Sequence, residues 1–83
     1  MHMLSWAELR KYPLDEKVQA LYRHATFITA IRYYHHKVNL YLLGNDYVEV
    51  FVNHKKAMID KIVLLDRSHS RMKFYSDQIK LSL

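Results

Sequence analysis

Apolar residues recur at Leu14, Val18, Leu21, Tyr22 and Ala25, three and four positions apart, which puts them on one stripe of an α-helix. Lys17, Gln19 and Arg23 fall on the opposite side. Pro13 suits the opening of such a helix, and Asp15 and Glu16 in its first turn complement the positive end of the dipole. Just upstream, Ser5-Trp6-Ala7-Glu8 spells a capping box, in which hydroxyl and carboxylate each satisfy a backbone amide of the other. A short helix from Trp6 to about Lys11 is expected there, stopped by Pro13.

After Ala25 the period changes. Thr26 to Tyr34 is dense in β-branched and aromatic residues, which favour strand. Val38, Leu40 and Leu42 alternate with Lys37, Asn39 and Tyr41, and Val48, Val50 and Val52 alternate with Tyr47, Glu49 and Phe51. Gly44-Asn45-Asp46 between them signals a hairpin. A three-residue loop pairs Leu42 with Val48, Leu40 with Val50 and Val38 with Val52, gathering all of them on one face. A two-residue loop at Asn45-Asp46 sets Leu42 against Glu49 and mixes the faces, so the longer loop is expected. Asn53-His54-Lys55-Lys56 reads as a turn. Residues 57–65 fit a fourth strand, bulged near Asp60 where the alternation slips. A helix there would align Met58, Ile62 and Leu65, but the isoleucines, the valine and the short connection favour strand. Ser70 is available as an N-cap, and Met72, Tyr75 and Ile79 follow at helical spacing. The pattern predicts one α+β domain over 1–83: helical 5–25, a four-stranded antiparallel β-meander over 26–66, and a short C-terminal helix over 70–80. The second helix lies across the valine face.

The reverse face of that meander would carry Tyr41, Tyr47 and Phe51 with Asn39 and Glu49, joined by Tyr33 or Tyr34. A sheet face turned to water does not normally hold so many aromatics. Three covers fit: the C-terminal segment with Met72, Phe74, Tyr75, Ile79 and Leu81, a second copy of the chain, or a ligand such as nucleic acid. The reading carried forward is a non-enzymatic interaction module, either a homodimer or a binder of another protein. Its candidate interface is Tyr34, Tyr41, Tyr47, Glu49 and Phe51.

Composition narrows the setting. A chain of 83 residues builds one core, and 51% apolar content excludes a disordered segment. The absence of cysteine points to a reducing compartment. Residues 1–6 do not read as a signal peptide, and no stretch approaches the roughly 18 apolar residues of a membrane span. A cytoplasmic protein without membrane contact is the expectation. The formal charge of +5 attracts polyanions, and Arg32, Lys37 and Lys61 flank the aromatics. RNA or single-stranded nucleic-acid binding through a basic aromatic sheet face is therefore the alternative reading. The helix–strands–helix order resembles double-stranded-RNA-binding domains, with Lys55-Lys56-Ala57 where their second helix begins; that likeness requires residues 55–65 to be helical.

Catalytic and metal chemistry find little to work with. Of six histidines, adjacent His35 and His36 point to opposite faces of a strand, and none pair at helical spacing. One glycine cannot build a phosphate loop or a nucleophile elbow. Asp66 with Ser68-His69-Ser70 has the residue types of a hydrolytic triad, but neighbours in sequence rarely meet in triad geometry. No enzyme, no metal and no cofactor are expected.

The stretch Leu43-Gly44-Asn45-Asp46-Tyr47-Val48-Glu49-Val50-Phe51-Val52-Asn53, followed by Ile59-Asp60-Lys61-Ile62, resembles short uncharacterised bacterial proteins with a Tyr-Val-Glu-Val β-meander. Phe74-Tyr75-Ser76-Asp77-Gln78-Ile79 is similar to their tail. The resemblance covers roughly residues 32–81, implies a strand over 57–65, and brings no activity or functional residue with it.

Overall fold

The computed structural model describes residues 4–76. Helix α1 spans Trp6–Leu9, α2 Leu14–His24, and four strands follow: β1 Thr26–Tyr33, β2 His36–Leu43, β3 Asp46–Asn53 and β4 Met58–Leu65. They form one antiparallel sheet in chain order, β1-β2-β3-β4. The domain is α+β, as the periodicities indicate. The capping box is made: Ser5 Oγ accepts from the Glu8 amide at 3.3 Å, and the Ser5 amide donates to Glu8 Oε1 at 3.4 Å. Met58–Leu65 is strand rather than helix, with Ala57 in the preceding turn, which removes the likeness to double-stranded-RNA-binding domains.

The hairpin register differs from the expected one. Leu43 pairs with Asp46, so the loop is Gly44-Asn45, one residue shorter than the expected three-residue loop and one position earlier than the two-residue alternative. Gly44 holds φ +61 and Asn45 stays out of the left-handed region, the pattern of a type II′ turn. Leu42 now faces Tyr47, Leu40 faces Glu49 and Val38 faces Phe51, while Val48 and Val50 face Tyr41 and Asn39. The apolar sets of β2 and β3 thus lie on opposite faces. This is stable because both faces are covered, so neither strand needs all its apolar residues on one side.

On the helix side, Leu43, Val48, Val50 and Ile62 pack with Leu9 and Leu21. On the far side, Leu40, Tyr47 and Leu65 pack with Tyr75, and Met72 joins them. Two bulges adjust the outer strands. In β4 the extra residue is Asp60, between Lys61 opposite Phe51 and Ile59 opposite Val52, where the sequence slips phase. In β1 it is Ile28, which lets Phe27, Ala30 and Arg32 share the helix side despite their uneven spacing.

The far-side cover is the C-terminal segment. Its described part is a 3₁₀ turn over Ser70–Phe74 capped by His69, whose Nδ1 accepts from the Arg71 amide at 3.0 Å, and not an α-helix begun by Ser70. Met72 and Tyr75 are three residues apart, the spacing at which 3₁₀ side chains eclipse, so the tighter turn lays both on the sheet. The remainder of the segment expected as helix, from residue 77, lies outside the described residues.

Candidate binding surface

The five residues expected to form one interface do not share a face. Tyr47, Glu49 and Phe51 are buried on the far side. Glu49 is fully enclosed, and Arg71 grips it with Nε at 3.0 Å to Oε2 and Nη2 at 2.8 Å to Oε1. The Tyr75 hydroxyl donates to Oε2 at 2.8 Å, so both carboxylate oxygens are satisfied. Burial, and then the bond to Glu49, raise the Tyr75 hydroxyl pKa above its ordinary value. The Arg71 guanidinium also stands over the rings of Phe51 and Tyr33, 5.3 and 5.5 Å from their centroids. Lys61 lies on this same side, 4.5 Å over Phe51. Tyr41 occupies the opposite face, because the shorter loop inverts β3 relative to β2. Tyr34 is at neither place; it sits in the β1–β2 turn, 80% exposed.

The structure gathers another set. Phe27 stands opposite Tyr41, Ala30 opposite Asn39 and Arg32 opposite Lys37, all on the helix side of the β1–β2 hairpin. Tyr22 from α2 completes an aromatic shelf: its ring lies 5.6 Å from Tyr41, and Tyr41 lies 5.6 Å from Phe27 in an edge-on contact. Phe27 and Tyr22 are 54% and 51% exposed, while Tyr41 is half-buried between them. Burial, with Tyr22 adding to it, pushes the Tyr41 hydroxyl up to about 12. Toward the turn, Arg32 and Lys37 are exposed, and Arg32 Nη2 approaches His54 Nε2 at 3.5 Å.

Of the three cations expected to flank one aromatic face, Arg32 and Lys37 lie on the helix side with Tyr41, nearer the turn, while Lys61 lies on the far side over Phe51. Phe27 is not among the expected interface residues, and Tyr22, expected on the apolar stripe of the helix, is half exposed instead. A usable signal was present: from Lys17 to Asn45 the chain has no Asp or Glu, yet holds Lys17, Arg23, Arg32 and Lys37. All eight acids lie outside that run. The run from α2 through the hairpin is thus cationic with no acid of its own, and the hairpin's Arg32 and Lys37 face solvent without carboxylates beside them in sequence.

The other polar groups are engaged locally. Asp66 Oδ1 accepts from the amide and hydroxyl of Ser68 at 2.8 and 2.7 Å, bonds that hold its carboxyl below the usual range. With His69 Nδ1 capping the 3₁₀ turn, these groups build a turn and not a charge relay. His36 Nε2 lies 2.8 Å from Asp60 Oδ2, which also accepts from Asn53 at 3.2 Å; the two bonds lower the Asp60 pKa. Among the described residues, no group of three or more His, Asp or Glu is placed to hold a metal, and no helix is long and apolar enough to cross a membrane. No protein family, curated protein or solved structure matches the chain.

Proposed function

We propose that the protein is a small non-enzymatic binding module, that its working surface is the helix side of the β1–β2 hairpin, and that its partner is a polyanion. The acid-free hairpin carries this reading: Arg32 and Lys37 stand as a cross-strand pair on the same side of the hairpin as the exposed aromatics, toward its turn. Self-association through Tyr47, Glu49 and Phe51 is less well supported, because Arg71, Met72 and Tyr75 of the same chain already fill that face.

Retention on immobilised heparin tests the proposal, since polyanion binding by paired cations weakens steeply with salt. The double variant Arg32→Ala/Lys37→Ala is expected to elute at clearly lower salt than the parent. Arg10→Ala/Lys11→Ala removes the same charge from the end of α1 and is expected to shift elution much less. Equal shifts from the two pairs would reduce the effect to net charge and end the claim for the hairpin.

A further inference from the structure

We infer that the polyanion is a single-stranded nucleic acid, whose bases stack on the Phe27–Tyr41–Tyr22 shelf while its backbone runs toward Arg32 and Lys37. This rests on the polyanion reading above and narrows it.

A cation pair alone would serve any polyanion. The shelf beside it is what discriminates. Phe27 is more than half exposed at the edge of the sheet, and Tyr22 stands out from the last turns of α2. Both keep ring area in water, held in place by edge-on and tilted contacts with Tyr41. Such rings offer π-faces to flat, unpaired bases, which stack on aromatics whatever their identity. Bases inside a duplex are already stacked on one another, and a sulfated polysaccharide has no π-face to offer. Asn39, between the shelf and the cations, adds an amide that both donates and accepts.

The dimensions fit one strand of backbone. Phe27 and Arg32 are separated along β1 by about 15 Å at the usual strand rise, a span of a few nucleotides. Tyr34, in the β1–β2 turn, is outside this shelf and packs against the far-side Tyr33. It holds φ +57 in the turn, where glycine or asparagine would sit with less strain, and its ring meets Tyr33 edge-on at 4.7 Å.

The test is fluorescence anisotropy with labelled single-stranded DNA and RNA of about 12 nucleotides, within the site sizes of single-strand binders. A matching duplex and unlabelled heparin complete the set. Single strands are expected to bind more tightly than the duplex. Phe27→Ala is expected to weaken single-strand binding roughly 5- to 100-fold, the loss of one stacked base, with heparin retention unchanged. Phe27→Tyr keeps a ring and is expected to restore binding, which separates stacking from a folding defect. Tighter binding of the RNA arm would identify RNA as the source and of the DNA arm DNA; either supports the inference. Duplex bound as well as single strands, or Phe27→Ala weakening heparin and single strands alike, overturns it while leaving the polyanion reading in place. If heparin and nucleic acid both fail to bind at low salt, both readings fall.

Discussion

Glu49 is the residue on which the far side of the sheet depends. Its carboxylate is wholly enclosed, yet all its acceptor needs are met by one arginine and one tyrosine. A buried charge of this kind is costly once a partner is removed. Arg71→Ala should destabilise the protein by about 3–5 kcal/mol, a large share of what a domain this size has to lose. Denaturant unfolding of variant and parent measures it; a loss below 1 kcal/mol, about the value of a surface pair, would mean the pair is not buried in solution. Tyr75→Phe removes one hydrogen bond to the charge and should cost about 1.5–3 kcal/mol. It also alters the alkaline limb. The Tyr75 pKa is raised by folding, so its contribution is complete below about pH 10, the unfolded tyrosine value, and is lost as pH climbs toward the native one. Between about pH 9 and 11, Tyr75→Phe should lose less stability than the parent. A steeper loss in the variant would contradict this assignment.

At the scale of elements, the two hairpins show what the residue pattern reveals and what it conceals. The helices, the strands, the Asn53 turn and the bulge at Asp60 follow from capping, period and one slipped alternation. The register of β2 against β3 does not. Leu42 and Leu43 are both apolar, and Tyr47 through Phe51 contains only one charged residue, so either phase offers a face that can be buried. Choosing between them requires knowing that a second cover exists, and that cover comes from residues far along the chain. The same ambiguity hid the surface built by Phe27, Arg32, Lys37 and Tyr41. Ile28 bulges out of the ladder and changes which residues of β1 share a side, and no break in the sequence pattern announces it. Gly44 fixes the register physically. An added Cβ meets nothing within 4 Å, so Gly44→Ala tests backbone strain alone at φ +61 and should cost about 1–2 kcal/mol. Thermal unfolding would show this as a fall of several degrees in Tm, and an unchanged Tm would speak against the II′ turn.

As a whole molecule, the protein is a sheet between two unequal covers. Among the described residues, two helices lie on one side, and a turn and a half of chain lies on the other. Leu21 joins α2 to the centre of the sheet, and Leu21→Ala should cost about 2–5 kcal/mol by leaving a cavity among Leu9, Val48 and Val50. Chemical denaturation is the check, and a cost under 1 kcal/mol would mean that α2 is not seated as described. Because Arg32 and Lys37 are already exposed near the β1–β2 turn, unfolding need not precede binding there.

The Glu49–Arg71–Tyr75 contact joins the middle of β3 to residues more than 20 positions later in the chain. During synthesis the whole sheet can therefore emerge and pair while an ionised side chain still waits, solvated, on a surface that must eventually close. A product terminated before Arg71 could never shut that side and would offer Tyr47 and Phe51 to chaperones and proteases. The turn over Ser70–Phe74 thus comes last in the closing of the sheet: only a chain translated past it buries Glu49 under Arg71 and Tyr75.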